Sequence, residues 1–575
     1  SLWLNTSGGC NVAVGLNSLK NNTTGKRNTA SGTYALCLNT TSNDNTATGY
    51  RVLRQATSGQ NTGSGAYALN NTSTGGCNTA TGVSVLGANT SGTANTGSGR
   101  YALRCNTTGG YNTGHGYAAL FSNTTSCFNT AVGMNSLYGN TTGSCNTAVG
   151  SKSLQHNTTG GWNTAVGNCS LYCNTTGYNN TAVGFNALYA NTTGLYNTAV
   201  GNRALLCNVG GLDNSAFGYL ALCANTTASY NTASGPYALR ANTTGDHNAA
   251  FGITALAANT VGDCNTGLGA RALRSNTTGI FNTSVGACSL YHNTTGNRLT
   301  AVGYKALFCN TTGIYNTASG YAALHSNTTG SENTAVGNVS LWSNTTGACN
   351  TAVGYGSLQM NTGACYNVAI GYRALRCNTT GSNNTAVGTQ ALYSNTTGTQ
   401  NTAVGKNAMY QNTTGKHNSS SGYFALRYNT SGSCNTAFGL NSLRDNTIGC
   451  RNVSIGYESM RENTTGNYNT AVGFQTLLSN TTGRCNVAVG GTSLWYNTTG
   501  VRNTAIGVRT LHYNTGGSYN TASGYATLTN NTTGHANAAH GHASLYSNTT
   551  GCYNTASGYH ALYSNTTGCY NTATG

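Results

Sequence analysis

Eight carboxylates are all the acid this chain offers for proton transfer or metal binding: Asp44, Asp213, Asp246, Asp263, Glu332, Asp445, Glu458 and Glu462. General acid–base catalysis needs such groups poised together in a cleft. Asp246 and Asp263, 17 residues apart, share a place in neighbouring repeats. That spacing suits a weak cation site, or more simply two solvated carboxylates. The acids of a calcium-binding repeat are missing, and histidines such as His115, His540 and His542 are dispersed. The residues point to no catalytic set, no metal and no cofactor, and so to a protein that is not an enzyme.

Thiols are the second chemistry. Of 21 cysteines, Cys127 and Cys145, Cys349 and Cys365, Cys434 and Cys450, and Cys552 and Cys569 fall in adjacent repeats, close enough for disulfides. Chance placement also produces such neighbours, so axial bridges, bridges between chains and free thiols all stay open. Exposed cysteine in this number favours an oxidising, extracellular setting.

What positions these residues is a repeat. Starting at Asn11, Asn28 and Asn45 and ending at Asn571, the pattern N-T-A-V-G-x-x-[AS]-L-x-x-N-T-T-G-x-x recurs every 17 residues, with one step of 16 between Asn45 and Asn61. Numbered one to seventeen, position five is always Gly. Position nine is Leu except at Met409 and Met460, position one is Asn except at Leu299, and position twelve is Asn except at Ala56 and Thr72. Positions three and eight are small. With 79 Gly, one Pro and only 6% charged residues, an aperiodic chain of this kind would be disordered. Strict periodicity reverses that reading.

Two Gly-containing turns per repeat leave segments of about five residues, too short for helices and suited to strands. The predicted fold is all-β: a parallel β-solenoid of about 33 coils with 17 residues per coil, one continuous array over 1–575 without caps. Coils about 4.8 Å apart would give a rod of about 160 Å. A Gly in every coil marks φ > 0 or close backbone approach. Leu137, Leu154, Leu171, Leu188, Leu307 and Leu341 belong to the apolar spine, with Val at position four as the remaining interior bulk. Asn129, Asn146 and Asn163 at position one, and Asn140, Asn157 and Asn174 at position twelve, form amide ladders. Val at four tends to accompany a polar residue at seven (Lys152, Asn186), and Ser at four an aromatic or Ala at seven (Tyr101, Ala322). The two columns therefore pack together or face one surface.

The segments NTAVGSKS (Asn146–Ser153) and NVAIGYRA (Asn367–Ala374) resemble the head repeats of YadA-like trimeric autotransporter adhesins and the NTA[VI]G…NTTG arrays of tail-fibre-like bacterial surface proteins. The resemblance covers the whole chain. It implies a left-handed β-roll, often trimeric, used for adhesion.

The variable positions describe the surface. All 25 Lys and Arg sit at six, seven, ten, sixteen or seventeen, giving a net charge of +17. Spread along such a rod, this is far sparser than the charge of DNA, about one per 1.7 Å, which argues against a dedicated nucleic-acid binder. Tyr138, Tyr172, Tyr189, Tyr196, Tyr230 and Tyr315 form candidate contact stripes for a neighbouring chain or a sugar. Position twelve carries a glycosylation sequon in 27 coils. Yet Asn208, Asn259, Asn361, Asn446 and Asn514 keep the Asn without the sequon, which favours a role in the fold. No apolar run is long enough to span a membrane. Ser1 falls at position eight and Gly575 at position five, both ordinary coil residues, so the array is expected to continue or to stack end to end. The expected partner is another copy of the chain, with surface glycans as a further class. The functional expectation is an extracellular or cell-surface structural fibre or adhesive stalk. The alternative is a ligand-binding surface, for ice through Thr ladders or carbohydrate through Tyr columns.

Overall fold

The computed structural model describes residues 1–575 and contains no helix. It has 34 strands of three residues each, one per coil, covering positions two to four. The strands are shorter than the predicted five-residue segments because Gly at position five turns the chain at once. Gly150 has φ 128°, and a Cβ there would lie 2.5 Å from the carbonyl oxygen of Gly167 in the next coil. The Gly at position fifteen is needed for a different reason. Gly160 has no positive φ, but its Cβ would meet the Gly177 oxygen at 2.2 Å.

The chain forms two compact units, Ser1–Ala287 and Cys288–Gly575. In the first, β1 (Val12–Val14) through β17 (Thr283–Val285) pair consecutively and in parallel. A typical step is Thr147↔Thr164, Ala148↔Ala165, Val149↔Val166. In the second, β18 (Thr300–Val302) through β34 (Thr572–Thr574) do the same, as in Thr334↔Thr351 and Val336↔Val353. Both are parallel β-solenoids with 17 residues between equivalent positions; the 16-residue step appears as Thr46↔Thr62.

Hydrogen bonding to neighbouring coils extends well beyond the strands. The N–H of Leu154 donates to Ser170 O (3.0 Å), that of Thr158 to Thr175 O (3.0 Å), that of Trp162 to Ser144 O (3.0 Å) and that of Lys152 to Met134 O (2.8 Å). This pattern needs left-handed backbone at positions seven, nine and seventeen. Lys152, Leu154 and Trp162 have φ of 59°, 49° and 55°, and their counterparts repeat these values. None of the three columns is reserved for Gly.

The interior corrects one expectation. Leu at nine is fully buried at Leu137, Leu154, Leu171, Leu188, Leu307 and Leu341, joined by Ala at three and Ala or Ser at eight. Val at four is not interior. Val149 and Val166 are exposed, because in a three-residue strand the middle residue points one way and its two neighbours the other. Columns four and seven thus both lie outside the core, four exposed and seven mostly half-buried.

Candidate functional site: side-chain ladders and the outward sheet face

The two Asn columns do different work. At position one, the Asn129 Oδ1 accepts the backbone N–H of Asn146 (2.9 Å), and the Asn146 Oδ1 accepts that of Asn163 (3.0 Å). The side chain therefore satisfies a buried backbone donor in the next coil. At position twelve, Asn157 Nδ2 donates to Asn140 Oδ1 and Asn174 Nδ2 to Asn157 Oδ1, each 2.7 Å. There the backbone N–H bonds within its own coil, Asn157 to Leu154 O (3.2 Å). Both columns also donate to the carbonyl at fifteen; Gly177 O receives Asn163 and Asn174. Asn140, Asn157 and Asn174 are fully buried, so the sequon nitrogens of the folded coils are committed to the interior.

Column sixteen explains residues that sequence reading treated as thiol or cation chemistry. A short polar side chain there accepts the N–H of position sixteen in the preceding coil. Asp246 takes it from Ser229 (2.7 Å) and Asp263 from Asp246 (2.8 Å). Cysteine serves equally: Cys127 Sγ accepts from Gly110, Cys365 from Ala348 and Cys450 from Ser433, each 3.3 Å, and Cys569 accepts from Cys552 (3.1 Å). Cys145, Cys349 and Cys434 lie beside these at position seventeen, and the N–H of Cys145 donates to Cys127 O (3.1 Å). All 21 thiols are unbridged in this structure, and only Cys37 is buried.

The tyrosines form axial stacks. Tyr172 and Tyr189 lie 5.0 Å apart at 3°, and Tyr138 stacks on Phe121 at 5.0 Å. Tyr230 stacks on His247, and Tyr196 meets Tyr178 edge-on. Tyr315 lies under Arg298, whose Nη1 donates to its hydroxyl (2.7 Å). Rings that face one another along the axis present edges and hydroxyls outward, which reduces the face area open to a sugar.

One charged cluster was missed. Arg427, Arg444 and Arg461 occupy position ten of three successive coils, with Asp445 and Glu462 at eleven and Glu458 at seven. Arg444 pairs with Asp445 (2.8 Å), and Arg461 pairs with Glu462 (2.5 Å) and Glu458 (3.2 Å). Burial raises the Glu458 pKa, but hydrogen bonds from Gln475 and Arg461 outweigh it and hold the carboxyl below its ordinary value. His512 was also missed as an interior group: it is 3% exposed, and burial lowers its pKa. His542, by contrast, is stacked between Tyr525 and Tyr559 on the surface column at six.

The most extensive feature available to a partner is the outward sheet face. Thr at two and the residue at four line it side by side. Column four is apolar through Val132, Val149, Val166, Val183, Val200 and Phe217 in the first unit, mostly exposed at 36–43%. In the second it runs Val336 to Val404, then Phe438 to Ile506, interrupted by Ser421. The Thr hydroxyls at thirteen are not part of it; Thr158 Oγ1 donates to Thr175 O (3.0 Å). No helix is long and apolar enough to cross a membrane. No family model matches the chain, and no curated protein matches it either.

Proposed function

We propose that this chain is a structural fibre or adhesive stalk protein of the cell exterior that associates with copies of itself through the outward sheet face. The observation that carries this reading is the apolar run at position four, Val132 to Phe217 in the first unit and Val336 to Val404 in the second, on a regular sheet that nothing in the chain covers. A unit of 17 strands about 4.8 Å apart, each about 10 Å wide, offers a face of about 800 Å², the size one partner contributes to a stable interface. Within it the apolar run from Val132 to Phe217 spans six strands, about 290 Å² by the same measure, and a contiguous exposed apolar run of this kind suits an interaction site. The resemblance to adhesin heads and fibre arrays fits the same reading, and it implies an extracellular location and a left-handed, often trimeric arrangement. The test is sedimentation and negative-stain microscopy of the purified chain. Elongated, self-associated particles are expected, and V166K/V183K/V200K should release single chains. Compact globules, or association unchanged by the three lysines, would sink the proposal.

The regular Thr column at position two favours a second reading, ice binding by the same face. Thermal hysteresis of the soluble chain, abolished by bulky substitutions at Thr164 and Thr181, would support it over self-association.

A further inference from the structure

Column sixteen of the second unit places three reactive side chains in successive coils: His535, Cys552 and Cys569. Of the 21 cysteines, Cys552 and Cys569 are the only two that share a column in neighbouring coils. Cys552 Sγ lies 3.0 Å from His535 Nδ1 and accepts the His535 backbone N–H (3.3 Å). Thr550 O, at 3.2 Å, is a second acceptor within reach of its S–H. Cys569 Sγ accepts the Cys552 N–H (3.1 Å) and lies 3.6 Å from Thr567 O. The His535 ring meets Tyr553 edge-on at 5.3 Å, and Tyr553 is stacked on Tyr570 at 4.9 Å, so the imidazole stands against an aromatic wall. Cys552 is half-buried and Cys569 exposed, and the contact between thiol and imidazole lies at the surface.

Other cysteines of the column lack this company. Cys127 stands between Gly110 and Ser144, Cys365 between Ala348 and Ser382, and Cys450 between Ser433 and Asn467. Each accepts a backbone hydrogen bond, but none has an imidazole or a second thiol in the coil before or after it. A nucleophile within hydrogen-bond reach of a base is the arrangement that activates a thiol, because the thiolate is the attacking form. In-register coils about 4.8 Å apart also bring the two Cys Cα atoms within the range of a disulfide.

We infer that His535, Cys552 and Cys569 form a thiol–disulfide exchange site whose co-reactant is a small-molecule disulfide. The Cys552 proton passes to His535 Nδ1, and the sulfur attacks one sulfur of the co-reactant. That S–S bond breaks, a mixed disulfide forms on Cys552, and the first leaving thiolate takes the proton back from the imidazolium. Cys569 then loses its proton to solvent and attacks the Cys552 sulfur, and the second leaving thiolate is protonated by solvent. Two protein thiols and one small disulfide thus become the Cys552–Cys569 disulfide and two small thiols. The site uses neither the outward sheet face nor an assembled state, so it stands or falls apart from the fibre proposal.

Competitive labelling of the reduced full chain with limiting iodoacetamide tests it, read by mass-spectrometric peptide mapping. Cys552 should label faster than Cys127, Cys365 and Cys450 by a factor on the order of tenfold. Oxidised glutathione should link Cys552 to Cys569 before any other pair forms, and C569S should instead hold glutathione on Cys552. H535S should bring Cys552 down to the labelling rate of Cys127 with an unchanged melting curve, since Ser433 and Ser518 already occupy this column. The wild-type labelling ratio requires no variant and decides the point even if H535S folds poorly. Labelling of Cys552 no faster than its three column-mates, glutathione spread evenly over the exposed thiols, or a folded H535S that labels as fast as wild type would overturn the assignment.

Discussion

The stretch from Asn39 to Asn89 and the stretch from Asn129 to Ala199 follow the same repeat but treat it differently. The second is regular in every column. The first contains the 16-residue step, and its position-twelve amides are replaced by Ala56 and Thr72. There the ladder at twelve is cut, and Thr72 Oγ1 is buried without a partner. The ladder at one continues through the gap: Asn61 N–H donates to Asn45 Oδ1 (3.0 Å) and Asn78 N–H to Asn61 Oδ1 (2.9 Å). Leu53 and Leu69 remain fully buried. Ala56 and Thr72 still donate their backbone N–H to Leu53 and Leu69 (3.2 Å each). The amide at twelve therefore shapes the corner at thirteen to fifteen, while the columns at one and nine hold register. A side chain that satisfies its neighbour's buried backbone is harder to lose than one that bonds mainly to its own kind.

The largest effect should come from the spine. Leu171→Asp buries an unpaired carboxylate and should cost several kcal/mol, and Leu53→Asp should cost as much despite its irregular surroundings. Protease cleavage mapped by mass spectrometry should show local opening around either site. Resistance kept by the Leu53 variant alone would break the claim that the spine is indifferent to the gap. Next comes Gly150→Val, which meets both the φ of 128° and the Gly167 oxygen; a lower melting temperature and opening at that coil are expected. Third is the contrast between the ladders. Asn163→Ala strands a buried backbone donor and should cost about 1–3 kcal/mol, and Asn174→Ala should cost less. Equal losses in chemical denaturation would refute the division of labour drawn above.

The smallest effect is acid-dependent and should fall outside both stretches, since neither holds a buried carboxylate. Glu458 has its pKa lowered on folding. Its ion pair with Arg461 and its hydrogen bond from Gln475 therefore contribute stability in full above the unfolded value of about 4.5, and this is lost as pH falls through the folded value. Hydrogen exchange around Glu458 should accelerate in that window, and Glu458→Gln should flatten the response. Acid opening that begins at coils 39–89 instead would show that the gap, not the charge cluster, is the weaker place.

Much of this was legible in the sequence, for a particular reason. Columns at one, five, nine and twelve meet the same environment in every coil, so their constraint appears as near-invariance. Asn and Leu positions were readable without knowing which way any side chain points. Direction was the limit for column four, where Val149 looks like core by composition but faces solvent. Left-handed backbone at seven, nine and seventeen left no signature because Leu154 and Trp162 occupy it instead of Gly. The thiols of column sixteen were read as bridge candidates, since nothing in a spacing shows that Cys127 Sγ accepts a backbone hydrogen bond.

The left-handed residues bear on how the chain folds. Each coil holds three of them outside Gly, a conformation costing about 1–2 kcal/mol per residue, and an isolated coil has no neighbour to offset that. The first coils to form are thus the slow step, and a finished edge then serves as template for the next. The partner of each strand lies only one coil away, 17 residues in 575, a relative separation of about 0.03. That is below the range of helical bundles, the fastest-folding class. A parallel sheet, ordinarily among the slowest topologies to assemble, is here built from local steps, so the chain can fold progressively as it is synthesised, coil upon coil.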